Sequence, residues 1–225
     1  MKRILLPAAA LVAVIFLTCC ASKNSIEPTG FLSDYSKLEP GQGDQALRRW
    51  VAPDVDFTKY KKVMIDKVIF YFKDDKKQLG IKPDELKALA GTFEKDLLDA
   101  LRGAYPVVTE PGPDVLRIRI AITDVQAGNP VLGPASAVLP LGVAANALSN
   151  VTTGESLSVG EASIEAEFID SQTGRVVAAM MDRRVGSTYS TGTVGGKWGH
   201  AKEAFQDWAK RLRQWLDKMH GKKAD

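Results

Sequence analysis

Two segments of this chain alternate aliphatic and polar residues, and this pattern constrains the fold more than any other feature. Residues 116–123 place Leu or Ile at every second position, and residues 163–168 alternate in the same way. Successive side chains of a β-strand point to opposite faces of a sheet, so each segment predicts a strand with one apolar face. The turn sequence DSQTG follows at residues 170–174, and residues 176–185 predict the partner strand of a hairpin.

Two other segments carry apolar residues at helical spacing. The first has Pro83 at its start, followed by the acidic residues Asp84 and Glu85, which suit the positive end of a helix. Its apolar stripe continues to Leu101, and a second stripe occupies residues 201–219. The sequence therefore predicts two long helices, each with one face buried against a core.

The order of predicted elements indicates the fold class. Residues 63–72 and the short segment 105–109 predict further strands before the alternating segment. The chain is 45% hydrophobic and 25% charged, as folded proteins are. We expect a single domain over residues 30–220 and a polar tail at 221–225. Its expected fold is a two-layer α+β domain, with two long helices packed on a mostly antiparallel sheet of three to five strands.

The N-terminus resembles a bacterial lipoprotein signal. Lys2 and Arg3 precede an apolar stretch, and the tripeptide Leu17–Cys19 stands before Cys20 as the lipoprotein cleavage pattern requires. The resemblance implies a signal peptide at residues 1–19, acylation of Cys20 and a membrane tether at residues 20–29. The alternatives are cleavage before Cys19 and a simple transmembrane anchor, although a span needs roughly 20 apolar residues.

This signal predicts where the protein is located in the cell and predicts the lipid bilayer as a first partner. No aspartate follows Cys20, which favours the outer membrane and a domain that faces the periplasm. The chain carries 30 Lys and Arg against 27 Asp and Glu, and Lys2 and Arg3 leave with the signal. Because the positive and negative charges of the remaining chain are nearly equal in number, we do not expect it to bind nucleic acid.

An uncharged insertion separates the two alternating segments. Residues 128–154 contain no charged residue but three prolines, and long connections of this kind are often functional. The insertion packs on its own domain, binds an envelope protein or contacts the bilayer surface; the sequence leaves these alternatives open. The residues predicted to contact a partner are Val138, Leu141, Val143 and Leu148.

No combination of residues predicts catalysis, a metal site or a cofactor. His200 and His220 have no third ligand nearby in the sequence. Glu165 and Glu167 are paired carboxylates of the type that glycosidases use, and Asp170 lies close by. We expect the two glutamates to form cross-strand ion pairs with Arg117 and Arg119 instead.

Three segments together resemble a known family. They are GFLSDYSKL at 30–38, VMID at 63–66 and GEASIEAEFIDSQTGRVVAAMMDRR at 160–184. The family is the bacterial outer-membrane lipoprotein family of unknown function numbered thirty-three thirteen. The resemblance covers nearly the whole mature chain and implies neither an activity nor catalytic residues.

These observations lead to three functional hypotheses. The first is a non-enzymatic, lipid-anchored protein that binds or supports an envelope assembly. The second is a carrier that holds a small apolar or lipid ligand between the sheet and the insertion. The third is a hydrolase of glycans or cell wall that uses Glu165, Glu167 or Asp170.

We predict that Cys20→Ala abolishes acylation and releases the protein from the membrane fraction, because the thiol of Cys20 is the predicted attachment point. Cell fractionation and intact-protein mass spectrometry measure both effects. An acylated, membrane-bound Cys20→Ala protein, together with release by Cys19→Ala, would contradict the choice of cysteine.

Overall fold

The computed structural model of this chain describes residues 26–73, 80–127, 160–185 and 196–222. These residues form one sheet, with two helices on its first face and an extended N-terminal segment on its second face. The strands are β1 (Glu39–Pro40), β2 (Arg48–Val51), β3 (Lys62–Ile65), β4 (Ile69–Phe70), β5 (Val115–Gln126), β6 (Glu161–Asp170) and β7 (Val176–Val185). The helices are α1 (Pro83–Leu101) and α2 (Gly199–Met219), and residues Phe57–Lys59 form one 3-10 turn.

The sheet is mixed. Its strand order is β1-β2-β7-β6-β5-β3, and β4 also pairs with β5. The strand pairs β1–β2, β2–β7, β7–β6 and β6–β5 are antiparallel, whereas β3 and β4 run parallel to β5. Parallel neighbours need a long crossover connection, and α1 provides it.

The chain is α+β, but the prediction of a mostly antiparallel sheet of three to five strands is wrong. The described residues form seven strands, two of them in a parallel arrangement with β5. Residues 39–51 show no alternation that predicts a strand, and β2 exists because it pairs with β7. The single strand predicted at 63–72 divides into β3 and β4, and the strand predicted at 105–109 makes one bridge, between Val63 and Val107.

The two helices are the elements that the sequence predicted best. α1 begins at Pro83, and the side chain of Glu85 accepts a hydrogen bond from the amide of Lys82 at 3.2 Å. The helices pack on each other through stacked rings of Phe93 and Phe205, whose centroids are 4.8 Å apart. Both rings are fully buried, so this contact lies at the centre of the helical layer.

The second face of the sheet is covered by residues 26–38, which we call the N-terminal strap. Phe31, Leu32 and Leu38 of the strap are buried. They pack against Ala121 of β5 and Met181 of β7 in a second apolar cluster. The strap therefore covers the second face of the sheet, as the helices cover the first.

Several predicted features lie outside the described residues. They are the acylated Cys20, the insertion 128–154 and its contact residues Val138, Leu141, Val143 and Leu148. Within the described ranges, no helix combines the length and the apolar character that crossing a membrane requires.

We expect Phe205→Ala to lower the free energy of unfolding by about 3–5 kcal/mol, because it removes a buried ring from the contact between the helices. Urea unfolding of the unacylated chain from residue 20 onward measures this loss. The control Gln206→Ala, at an exposed position of the same helix, should change stability by no more than about 0.5 kcal/mol. Equal effects of the two substitutions would show that the ring is not in the core.

Candidate functional site

A cavity of about 500 Å³ lies between α2 and the first face of the sheet. Its size falls within the range of about 300–1,000 Å³ that is typical of small-molecule sites. The side chains that α2 contributes to its apolar wall are Trp208, Leu212, Trp215 and Met219. These positions recur on one side of a helix, so a single helix face forms one wall of the cavity.

Two rows of side chains from neighbouring strands form the floor of the cavity. One row runs from Ile120 through Ala166 to Met180, and the other from Phe168 to Ala178. Directly opposed residues of antiparallel strands point to the same face. The floor therefore carries alanine at two central positions, and their small side chains leave space beneath the aromatic residues of α2.

The end of the cavity near β7 is closed by Asp182, which is 2% exposed. Its carboxylate accepts hydrogen bonds from Nε1 of Trp208 at 2.8 Å and from the amide of Leu47 at 3.0 Å. Nη2 of Arg184 lies 3.1 Å from the same carboxylate as an ion pair, without the geometry of a hydrogen bond. Because buried polar groups need partners, Asp182 fixes both α2 and the start of β2 on the sheet.

Glu165, a predicted catalytic alternative, anchors the strap instead. It is fully buried on the second face of the sheet. One carboxylate oxygen accepts a hydrogen bond from the amide of Thr29 at 2.9 Å, and the other accepts one from the hydroxyl of Tyr35 at 2.6 Å. Burial and the hydrogen bond to Glu165 raise the pKa of Tyr35, so this phenol remains a donor.

Glu167 also binds the strap and is 1% exposed. It accepts hydrogen bonds from the amide and the hydroxyl of Ser33, both at 2.5 Å, and from Arg119 at 2.8 Å. The predicted ion pair is confirmed for Arg119 but wrong for Arg117, which makes a bidentate pair with Asp66 at 2.8 and 2.7 Å. Neither Glu165 nor Glu167 lines the cavity.

Asp170, the third acid of the hydrolase hypothesis, closes the β6–β7 hairpin. Its carboxylate accepts hydrogen bonds from Lys59 at 2.7 Å, from the hydroxyl of Tyr60 at 2.9 Å and from the amide of Thr173 at 3.0 Å. Burial alone would raise the pKa of Asp170, but the hydrogen bonds from Lys59, Thr173 and Tyr60 outweigh burial and lower it. The group is therefore an ionised anchor that joins the hairpin to residues 59–60.

Both histidines contact groups of the protein itself. His220 ends α2, where its ring nitrogens lie 2.7 Å from the carbonyl oxygen of Leu216 and 2.9 Å from that of Tyr60. His200 lies 3.5 Å from the carboxylate of Glu203. In the part of the chain that the structure describes, no group of three or more His, Cys, Asp or Glu residues is placed to hold a metal ion.

Sequence reasoning found the residues around the cavity but not the cavity itself. The apolar stripe of α2 was predicted to be core, and Trp208 and Leu212 are indeed buried. The signal for a cavity was the pair of alanines, Ala166 and Ala178, on otherwise bulky strands. The sequence alone does not show that these two alanines lie in the same cavity floor, because their placement depends on the register of the strands.

The fold and the cavity define an α+β protein whose sheet is covered on both faces and whose C-terminal helix stands over an apolar space. The family model described as a protein of unknown function, DUF3313, matches residues 27–212. This chain belongs to that family, which confirms the resemblance of residues 30–38, 63–66 and 160–184.

Known proteins with similarity to this chain include one relative and two solved structures. The uncharacterised lipoprotein YdcL of Escherichia coli strain K12 is 27% identical over 207 residues, which cover 89% of this chain and 91% of the relative. The PelC dodecamer of Paraburkholderia phytofirmans is 13% identical, with 72% of this chain and 95% of that chain covered and a TM-score of 0.39. Protein XCC0632 of Xanthomonas campestris is 12% identical, with 71% and 86% covered and a TM-score of 0.41.

We predict that Asp170→Asn lowers the free energy of unfolding by about 1–3 kcal/mol near neutral pH, because it removes a charged hydrogen-bond acceptor. A carboxyl with a lowered pKa in the folded protein stabilises above its unfolded pKa of about 3.9 and loses this effect as the pH falls further. Urea unfolding should therefore show that the free energies of unfolding of the wild type and of Asp170→Asn approach each other below about pH 4.

The control for this prediction is Asp114→Asn, which breaks the surface ion pair with Lys62. It should lower stability by less than about 1 kcal/mol. A difference between the wild type and Asp170→Asn that does not change with pH would show that ionisation of Asp170 does not stabilise the hairpin.

Proposed function

We propose that this chain is a lipid-anchored, non-catalytic binding protein of the bacterial envelope that holds an apolar ligand between α2 and the sheet. The observation that carries this proposal is the cavity of about 500 Å³ with its wall of aromatic and aliphatic side chains. Protein interiors are normally packed as densely as organic crystals, with few voids larger than a water molecule. This space opens to solvent at its rim, and a partly open apolar cleft of this size is typical of a ligand site.

The chemistry of the wall favours an apolar ligand. Burial of apolar surface contributes about 25 cal/mol per Å², so an aliphatic or aromatic group gains free energy by entering this site. Trp208 directs its only hydrogen-bond donor to Asp182 and thus offers the cavity an apolar ring. Among the described residues α2 forms one wall of this site, and the insertion 128–154, which the sequence hypothesis placed opposite the sheet, lies outside those residues.

The anchor is supported by the residues around Cys20 and by the name of the relative, which is a lipoprotein. Acylation of Cys20 would hold the domain next to the bilayer, because Ile26, which packs against the second apolar cluster, is close to Cys20 in the sequence. Such a position suits a protein that takes an apolar ligand from a membrane or delivers one to it. We place the anchor in the outer membrane, with the domain in the periplasm.

A second function, contact with an envelope protein, is supported by the uncharged composition of residues 128–154. This segment connects β5 to β6, whose paired ends are Gln126 and Glu161. The strands on either side are fixed in the sheet, so the segment leaves from a rigid base. Val143→Asp combined with Leu148→Lys should remove a co-purifying partner and leave the melting temperature nearly unchanged.

We predict that the unacylated chain from residue 20 onward binds the neutral apolar dye N-phenyl-1-naphthylamine, with a rise in dye fluorescence. Ala178→Leu should weaken this binding by at least about tenfold, because a larger side chain at the floor occupies part of the cavity. Fluorescence titration measures the affinity, and circular dichroism confirms that the variant is folded.

The matched control is Ala90→Leu, which adds the same volume to a buried alanine on α1 that does not line the cavity. This control should leave dye affinity unchanged within about twofold. A folded wild type that does not bind the dye, or equal losses in the two variants, would contradict the proposed site.

A further inference from the structure

Cationic side chains surround the mouth of the apolar cavity. Arg211 and Lys218 are two turns apart on α2 and lie on one side of that helix, and Lys222 follows the end of the helix. Arg49 faces them from β2, where its partner across the strands is Met180 of the cavity floor. The lining of the cavity therefore includes cations from a strand and from a helix.

Two of these cations are already paired with carboxylates. Nε of Arg211 lies 2.7 Å from Asp207, and Nη1 of Arg211 lies 3.7 Å from Asp44. Nζ of Lys222 lies 3.7 Å from Asp217, at the long end of the ion-pair range. These contacts use part of the charge of Arg211 and Lys222.

The other two cations have no carboxylate partner among the described residues. Nη1 of Arg49 donates to the neutral amide of Gln45 at 3.3 Å. Lys218 is exposed near the end of α2. It takes part in no ion pair among the residues that the structure describes. Arg49 and Lys218 therefore present positive charge that the described protein does not neutralise.

The acids of the lining do not offset this charge. Asp182 is buried and already receives hydrogen bonds from Trp208 and Leu47. The side chain of Asp44 is 89% exposed and lies beside Arg211. The cavity thus combines an apolar wall with two cations, Arg49 and Lys218, that form no ion pair within the described residues.

We propose that the ligand is a single-chain amphiphile with an anionic head, either a carboxylate or a phosphate. Its apolar chain lies in the cavity, and its head binds Arg49 and Lys218 at the mouth. This inference rests on the proposed function and adds the class of the ligand. Arginine and lysine form charge-assisted hydrogen bonds with both kinds of head, and these bonds are stronger than bonds between neutral groups.

The test compares three ligands that share one chain and differ in the head: dodecanoate, dodecyl phosphate and dodecanol. Each displaces N-phenyl-1-naphthylamine from the whole chain from residue 20 onward, made without acylation as its Cys20→Ser form. The two anions should displace the dye at concentrations at least about tenfold lower than dodecanol, because only they carry the charge that the mouth recognises. The stronger of the two anions shows which kind of head group the mouth prefers.

The variant Arg49→Gln with Lys218→Gln should reduce the preference for the anions to less than about threefold and leave dodecanol unaffected. The control Lys202→Gln with Lys210→Gln removes the same charge from exposed positions of α2 that do not line the mouth. This control should keep the full preference. Circular dichroism and the affinity for the dye confirm that both variants are folded.

The outcomes separate this inference from the proposed function. If dodecanol displaces the dye as well as the anions do, the anionic head is wrong and the apolar site stands. If no ligand displaces the dye, or the dye does not bind, the apolar site itself is wrong. If both double variants lose the preference equally, net charge rather than Arg49 and Lys218 attracts the anions, and the assignment of these residues is overturned.

Discussion

Glu165 has no exposed surface, although it lies on the polar side of a strand where a two-layer domain would meet water. A buried carboxylate is costly unless hydrogen bonds replace its hydration. Thr29 and Tyr35 supply these bonds to Glu165, and Ser33 supplies them to Glu167. The strap must therefore remain on the sheet, and the arrangement of the other layers depends on it.

With its second face closed by the strap, the sheet offers only its first face to the helices. Asp182 then fixes α2 through Trp208, while Phe205 fixes it against α1. Asp182 and α1 hold α2 in place, and the side chains of α2 do not fill the space between this helix and Ala166 and Ala178 of the cavity floor. The same rigid attachments that stabilise the layer also preserve the cavity, so binding would need no rearrangement of the sheet.

The two most recognisable segments of the sequence prove to be partners in space. GFLSDYSKL at 30–38 contributes Ser33 and Tyr35, and the segment at 160–184 contributes Glu165 and Glu167. Sequence reasoning identified both segments and expected the glutamates to be paired by arginines. It did not predict backbone amides and hydroxyls from a distant segment as the partners, because no local pattern encodes a contact across more than one hundred residues.

The sequence by itself determined the elements whose signal is local: α1, α2 and the hairpin of β6 and β7, whose periodicity and turn residues are read within one segment. The tertiary structure alone decided the seven-stranded mixed sheet, since β2 forms through its pairing with β1 and with the distant β7. It also decided the cavity, because the space above Ala166 and Ala178 depends on strand register and on where α2 rests. Packing between distant segments, which a local pattern does not record, is the physical reason for this division.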